Sequence, residues 1–152
     1  MISTKKVNWP ILFNSVRDKL LATAQRQPNL KNGRNDPYWY DYNCNSLSGL
    51  KKTGRGNCVA WSNLAVELAA KNGLRAQSII IADRRDKTGE KDSHQITIIY
   101  DADNTIWFQS CISTRRLYKP RGKENKLRTE KLLCREGAKD CEWKRGAKIL
   151  RD

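Results

Sequence analysis

Apolar side chains recur at helical spacing through residues 9–26, where Trp9, Leu12, Val16, Leu20 and Ala24 share one face. Asn8 supplies an N-cap and Pro10 fits a first turn. The period fades at Gln25-Arg26-Gln27-Pro28. Residues 28–56 show no period and are punctuated by Asn, Gly, Pro and Ser, so they read as one long irregular segment. It carries the aromatic cluster Tyr38-Trp39-Tyr40 and then Tyr42. Such aromatics either line a cleft or pin the loop onto the core. Residues 58–72 are apolar on most faces, through Val59, Ala60, Leu64, Ala65, Val66, Leu68, Ala69 and Ala70, which predicts a central buried helix. Asn57 caps it and Gly73 stops it. Three strands follow over residues 77–82, 94–100 and 105–110, the last two joined as a hairpin by the turn from Asp101 to Asn104. One buried helix followed by closely spaced strands predicts an α+β fold, with the helix packed on a small antiparallel sheet.

After Ser113 the pattern weakens. Residues 124–135 are compatible with a helix, but Val, Ile and Phe are nearly absent beyond this point. The expectation is one domain over residues 1–152, with a core at about 9–113 and a basic segment at 114–152 that adds little to it. A chain of 152 residues fits a single domain that folds without metals or disulfides.

Charge sharpens this division. The chain holds 30 Lys and Arg against 16 Asp and Glu, a net of +14. Residues 115–152 hold 14 against 6, so more than half of the excess lies in the last quarter. Such a field attracts anions, and Arg115, Arg116, Lys119, Arg121 and Lys123 are the candidate contacts for nucleic acid or another acidic polymer. No named nucleic-acid motif occurs. No apolar run has the length of a signal peptide or a membrane span, so the expectation is a soluble, cytoplasmic chain. Five cysteines occur, at 44, 58, 111, 134 and 141, without a C-x-x-C pair, which argues against a zinc site. One arrangement pairs Cys44 with Cys111 and Cys134 with Cys141, leaving Cys58 free. In the other, all five are reduced.

The candidate chemistry centres on Gly54-Arg55-Gly56-Asn57-Cys58. Flexible glycines lead into a helix whose first turn holds the cysteine. A helix N-terminus offers unpaired N–H groups and partial positive charge, which stabilise a thiolate and can hold an oxyanion. The expectation is a thiol pKa brought down from about 8.5, leaving mainly thiolate at pH 7. His94, the one histidine in the chain, opens the second strand, where Ile96, Ile98 and Tyr100 share its face. If that face packs on the helix, the imidazole can exchange a proton with the thiol.

The stretch from Gly54 to Ser110 resembles the transglutaminase-like branch of the papain-like cysteine hydrolases. The resemblance rests on Gly56-Asn57-Cys58, on Lys71-Asn72-Gly73-Leu74-Arg75-Ala76 after the helix, and on Ser93-His94-Gln95-Ile96. It implies a cysteine nucleophile at Cys58, a base at His94 and no cofactor. It also implies an acidic or amide residue on the third strand. Here that strand reads Ile106-Trp107-Phe108-Gln109-Ser110-Cys111, without a carboxylate. Gln109 and Ser110 face opposite ways, and either can orient the imidazole. Asp101 and Asp103, at the far turn of the hairpin, are poorer candidates. Gly56, Asn57, Trp39 and Trp61 are the candidate substrate-binding residues. The implied activity is attack on an amide carbonyl, giving a peptidase, amidase or deamidase with water as acceptor and a transglutaminase with an amine. The competing account is a basic protein that binds nucleic acid or an acidic polymer on an inactive version of the fold.

Overall fold

The computed structural model describes residues 16, 18–20, 22–23, 46–54, 56–86, 93–111 and 113–151. Helix α1 (Leu47–Thr53) opens on Ser46, whose hydroxyl accepts the Gly49 N–H. Helix α2 (Cys58–Lys71) opens on Asn57 and ends at Asn72, with Gly73 beyond it at φ 72°. Gly73 adopts this left-handed conformation without a Cβ clash, and the chain turns there into the sheet. Strands β1 (Arg75–Asp83), β2 (Ser93–Tyr100), β3 (Ile106–Ser110) and β4 (Ser113–Tyr118) follow. Helix α3 (Lys126–Asp140) and strand β5 (Ala147–Ile149) complete the described chain.

The fold is α+β. The five strands form one sheet in the order β4-β3-β2-β1-β5, and every neighbouring pair is antiparallel. The expected helix and all three expected strands are present. Because strand side chains alternate between faces, the sheet has two apolar layers. Ala76, Ile99 and Trp107 lie in register across three strands and pack with Trp61, Leu64, Leu68 and Leu74 of α2 and its exit. Val16 and Leu20 join that cluster, so the described part of the expected first helix is helical, with Val16 and Leu20 buried and Asp18, Lys19 and Ala22 exposed; the rest of it lies outside the described residues. A polar seam ties α2 to the sheet: the Ser62 hydroxyl bonds that of Thr97 at 2.6 Å and that of Ser78 at 2.8 Å. Both sit in the layer between helix and strands, where unpaired hydroxyls would be costly.

The opposite face carries a second core that the sequence reading did not anticipate. Ile81, Ile96, Ile98, Ile106 and Phe108 pack against Leu133, Ala138, Cys141, Trp143 and Ala147. The segment after Ser113 therefore supplies two sheet strands and a covering helix. Its low apolar content misled because α3 needs only one apolar stripe, and cationic side chains cover rings elsewhere. Arg115 stacks over Phe108 at 4.9 Å and Arg128 over Tyr118 at 4.6 Å. Gly137 matters for the contact: a Cβ there would overlap Ile81 Cδ1. A second difference lies in residues 28–56, expected to be irregular throughout, which contain α1 with its buried Leu50.

Candidate active site

Cys58 is the first residue of α2 and is half-buried. Asn57, itself buried, caps the helix: its Oδ1 accepts the N–H groups of Val59 at 3.1 Å and Ala60 at 3.3 Å. Two of the donors expected to face a substrate are thus already engaged by the cap, and Asn57 is a structural cap as well as a neighbour of the thiol. Gly56, also buried, leads into it. Burial pushes the Cys58 thiol above its ordinary value. The backbone N–H groups of Gln95, Val59 and Cys58 itself pull in the other direction without overcoming burial. The expected resting thiolate is therefore corrected to a resting thiol. Desolvation of a charged sulfur exceeds what the helix terminus returns, because the cap has consumed part of its donor capacity.

The pull of the Gln95 N–H puts the sulfur near the peptide that follows His94. Strand β3 pairs with β2 from Tyr100 only as far as Thr97, so Gln95 lies past the end of that ladder. Beyond Ser110 the chain turns through Cys111 at φ 52°. Cys111 is fully enclosed, and burial first, then the neighbouring Cys58, pushes its thiol well above the ordinary value.

His94 is buried, and its Nε2 lies 2.7 Å from the Ser110 hydroxyl. Of the two residues expected to orient the imidazole, the register selects Ser110. Gln109 pairs with Thr97 and faces α2, where its Nε2 donates to the Cys111 carbonyl at 2.5 Å. The expectation that the face of His94 packs on the cysteine-headed helix is corrected. Ile96 and Ile98, on the His94 side of the pleat, pack in the α3 layer, whereas Thr97 and Ile99 meet α2. Helix α2 therefore packs on the face opposite to the one that His94 shares, and the Gln95 N–H, one peptide after His94, acts on the Cys58 sulfur.

Trp61 is fully enclosed in the α2 core, with its indole N–H unpartnered, so it is a packing residue and not a substrate contact. The helical period explains this, since position 61 shares its face with Leu64, Ala65 and Leu68, which pack in the same core. Trp39 and Cys44 lie outside the described residues. Cys58, Cys111, Cys134 and Cys141 are free thiols. A bridge between Cys134 and Cys141 is ruled out by their place along α3 and its cap, where seven residues span roughly 10 Å against the ~4.4–6.8 Å a disulfide needs between Cα atoms.

Asp101 accepts the Ala102 N–H and the Trp107 indole, and Asp103 accepts the Thr105 N–H and pairs with Lys119 at 3.6 Å, so both serve the hairpin turn. Among the basic residues, Arg115 is tied to Glu136 and Asp140 at 3.2 and 3.1 Å and is corrected from a polymer contact to a structural residue. Arg116, Arg121 and Lys123 are exposed. No helix among the described residues is long and apolar enough to cross a membrane. No family model, no curated protein and no solved structure matches this chain.

Proposed function

We propose that this protein is a thiol enzyme that attacks amide carbonyls, with Cys58 as nucleophile, His94 as proton carrier and Ser110 as the residue that positions the imidazole. The observation that carries the proposal is the junction of α2 with β2: the Cys58 sulfur sits against the Gln95 N–H, one peptide beyond a histidine whose Nε2 is held by Ser110 at 2.7 Å. This order of cysteine-headed helix, histidine strand and positioning strand is similar to that of the transglutaminase-like and papain-like hydrolases.

In the proposed reaction the Cys58 thiol passes its proton to His94 as the sulfur bonds to the carbonyl carbon. The tetrahedral oxyanion is met by backbone N–H groups near the sulfur, those of Cys58 and Gln95. Collapse breaks the C–N bond, and His94 gives its proton to the departing amine. The resulting thioester is attacked by water, or by a second amine, which gives a proton to His94. The acyl product leaves, and the proton returns to the sulfur. Ser110 is neutral, so it fixes the ring without the charge stabilisation a carboxylate would add.

The test uses p-nitrophenyl acetate, which acetylates activated thiols. The expected result is a burst of nitrophenolate, with acetyl mapped to Cys58 by mass spectrometry. The burst disappears in Cys58→Ala and slows at least tenfold in His94→Ala. A burst of undiminished size in Cys58→Ala contradicts the proposal.

A further inference from the structure

Helix α3 and strand β5 enclose a cavity of about 460 Å³ on the side of the molecule built by the C-terminal segment. Its size falls within the range of ~300–1,000 Å³ typical of small-molecule sites. Five cations line it: Arg84 just after β1, Lys131 and Arg135 on α3, Lys148 on β5 and Arg151 beyond it. The single carboxylate in the wall, Glu130, is already held by Arg151 at 2.5 Å. Arg135 pairs with Glu136 at 3.5 Å, and Lys148 donates to the Asp86 carbonyl. Arg84 and Lys131 have no carboxylate partner among the described residues.

The gathering of these charges is imposed by the fold. The Arg84 N–H bonds the Gly146 carbonyl at 3.0 Å, and the Leu150 N–H bonds the Ile80 carbonyl at 2.9 Å. These bonds fix the chain ends that carry Arg84, Lys148 and Arg151 on one side of the cavity, opposite α3. Like charges held together in this way repel one another, and an anion entering the cavity relieves that repulsion. With Arg151 held by Glu130 and Arg135 by Glu136, three cations remain unmatched; a monovalent anion would offset only part of them, whereas a polyphosphate matches them. Arginine forks suit phosphate oxygens in pairs. The wall also has an apolar portion: Ile149, and Leu127, which is 62% exposed on the rim. An exposed leucine beside unpaired cations fits a ligand with an apolar body and a multiply charged end.

We propose that this groove binds a small organic polyphosphate of nucleoside-triphosphate size, its phosphates on Arg84, Lys131 and Lys148 and its apolar body on Leu127 and Ile149. The site is separate from Cys58 and does not depend on the proposed thiol chemistry. Cys134 provides an internal reporter, since it lines the same cavity, is half-buried and is a free thiol. Arg84 and Arg151 both act on it electrostatically, which places these cations close to it.

The experiment titrates the full chain with a fluorescent N-methylanthraniloyl ATP at low salt and maps cysteine alkylation at pH 8.5 with and without ATP. The site predicts saturable binding, displacement by tripolyphosphate, and at least tenfold weaker binding in Arg84→Glu and in Lys131→Glu. Both residues are exposed, and an unchanged melting temperature verifies the fold. Saturating ATP slows Cys134 labelling at least fivefold and leaves Cys58 labelling unchanged. Absence of saturable binding overturns the proposal, as does binding that both variants leave intact. A single-stranded oligonucleotide that binds at least tenfold tighter than ATP, and loses that advantage in the same variants, assigns the groove to a polymer instead.

Discussion

Cys58 is where sequence position and environment pull in opposite directions. The first turn of a helix favours a thiolate, yet burial holds the resting sulfur protonated. In His94→Ala, where the sulfur depends on its own ionisation, Cys58 alkylation by iodoacetamide is therefore expected to accelerate by close to tenfold per pH unit between pH 7 and 8.5. A rate independent of pH across that window would mean a thiolate at rest. Ser110 and Gln109 separate on different measurements. Ser110→Ala removes the partner of the buried His94 Nε2 and is expected to lower acyl-transfer rate by about tenfold, with a loss of stability of about 1–3 kcal/mol. Gln109→Ala removes a fully buried side chain and its bond to the Cys111 carbonyl, so its effect belongs in the melting temperature. Equal loss of rate in both variants at equal stability would deny Ser110 its role. Cys58 and His94 were legible because residue type, spacing and flanking glycines all lie in the sequence. The choice between Ser110 and Gln109 was not, because it depends on which face of β3 meets which helix.

At the scale of elements, α2 announces itself and α3 does not. Helix α2 is apolar on most faces, and its cap and stop are sequence neighbours. Asn57→Ala is expected to cost about 0.5–2 kcal/mol, the usual loss of an N-cap, and to disturb Cys58 labelling because the cap sets the first turn. Chemical denaturation checks the first effect, and an unchanged midpoint would show that the cap is replaceable. Helix α3 was foreseen only in outline, since Lys, Arg and Glu dominate its composition and just one stripe is buried. That stripe carries the second core. Leu133→Ala is expected to destabilise by roughly 2–5 kcal/mol, as in other buried leucine truncations. Gly137→Ala is expected to cost about 1–3 kcal/mol by forcing Ile81 aside. Neutral results at both positions would mean that α3 does not pack on the sheet as described.

Among the described residues the sheet is covered by helices on both faces, α1 and α2 on one and α3 on the other, and the two faces have different sequence signatures. The α2 side has long apolar runs; the α3 side is assembled from isolated Leu, Ala, Trp and Cys residues within a basic segment, which is why the expected core stopped near residue 113. Burial raises the thiols of Cys58, Cys111 and Cys134. The unfolded chain then releases these protons first, from about pH 8.5. Their contribution to stability is full below that pH and is lost as pH rises toward the folded values. The melting temperature is expected to fall from pH 8 to pH 10, and a flat profile would contradict the burial of these sulfurs. The proposed pairing of Cys58 with His94 also belongs to this scale, because it requires the head of α2 and the start of β2 to meet. The most direct measurement is the rate of Cys58 alkylation at pH 7.0 in the wild type and in His94→Ala, with Cys134 in the same chains as control. A proton acceptor at His94 predicts at least a tenfold drop at Cys58 and no change at Cys134. Equal Cys58 rates in the two proteins would leave the thiol without its base and remove the thiol-enzyme account.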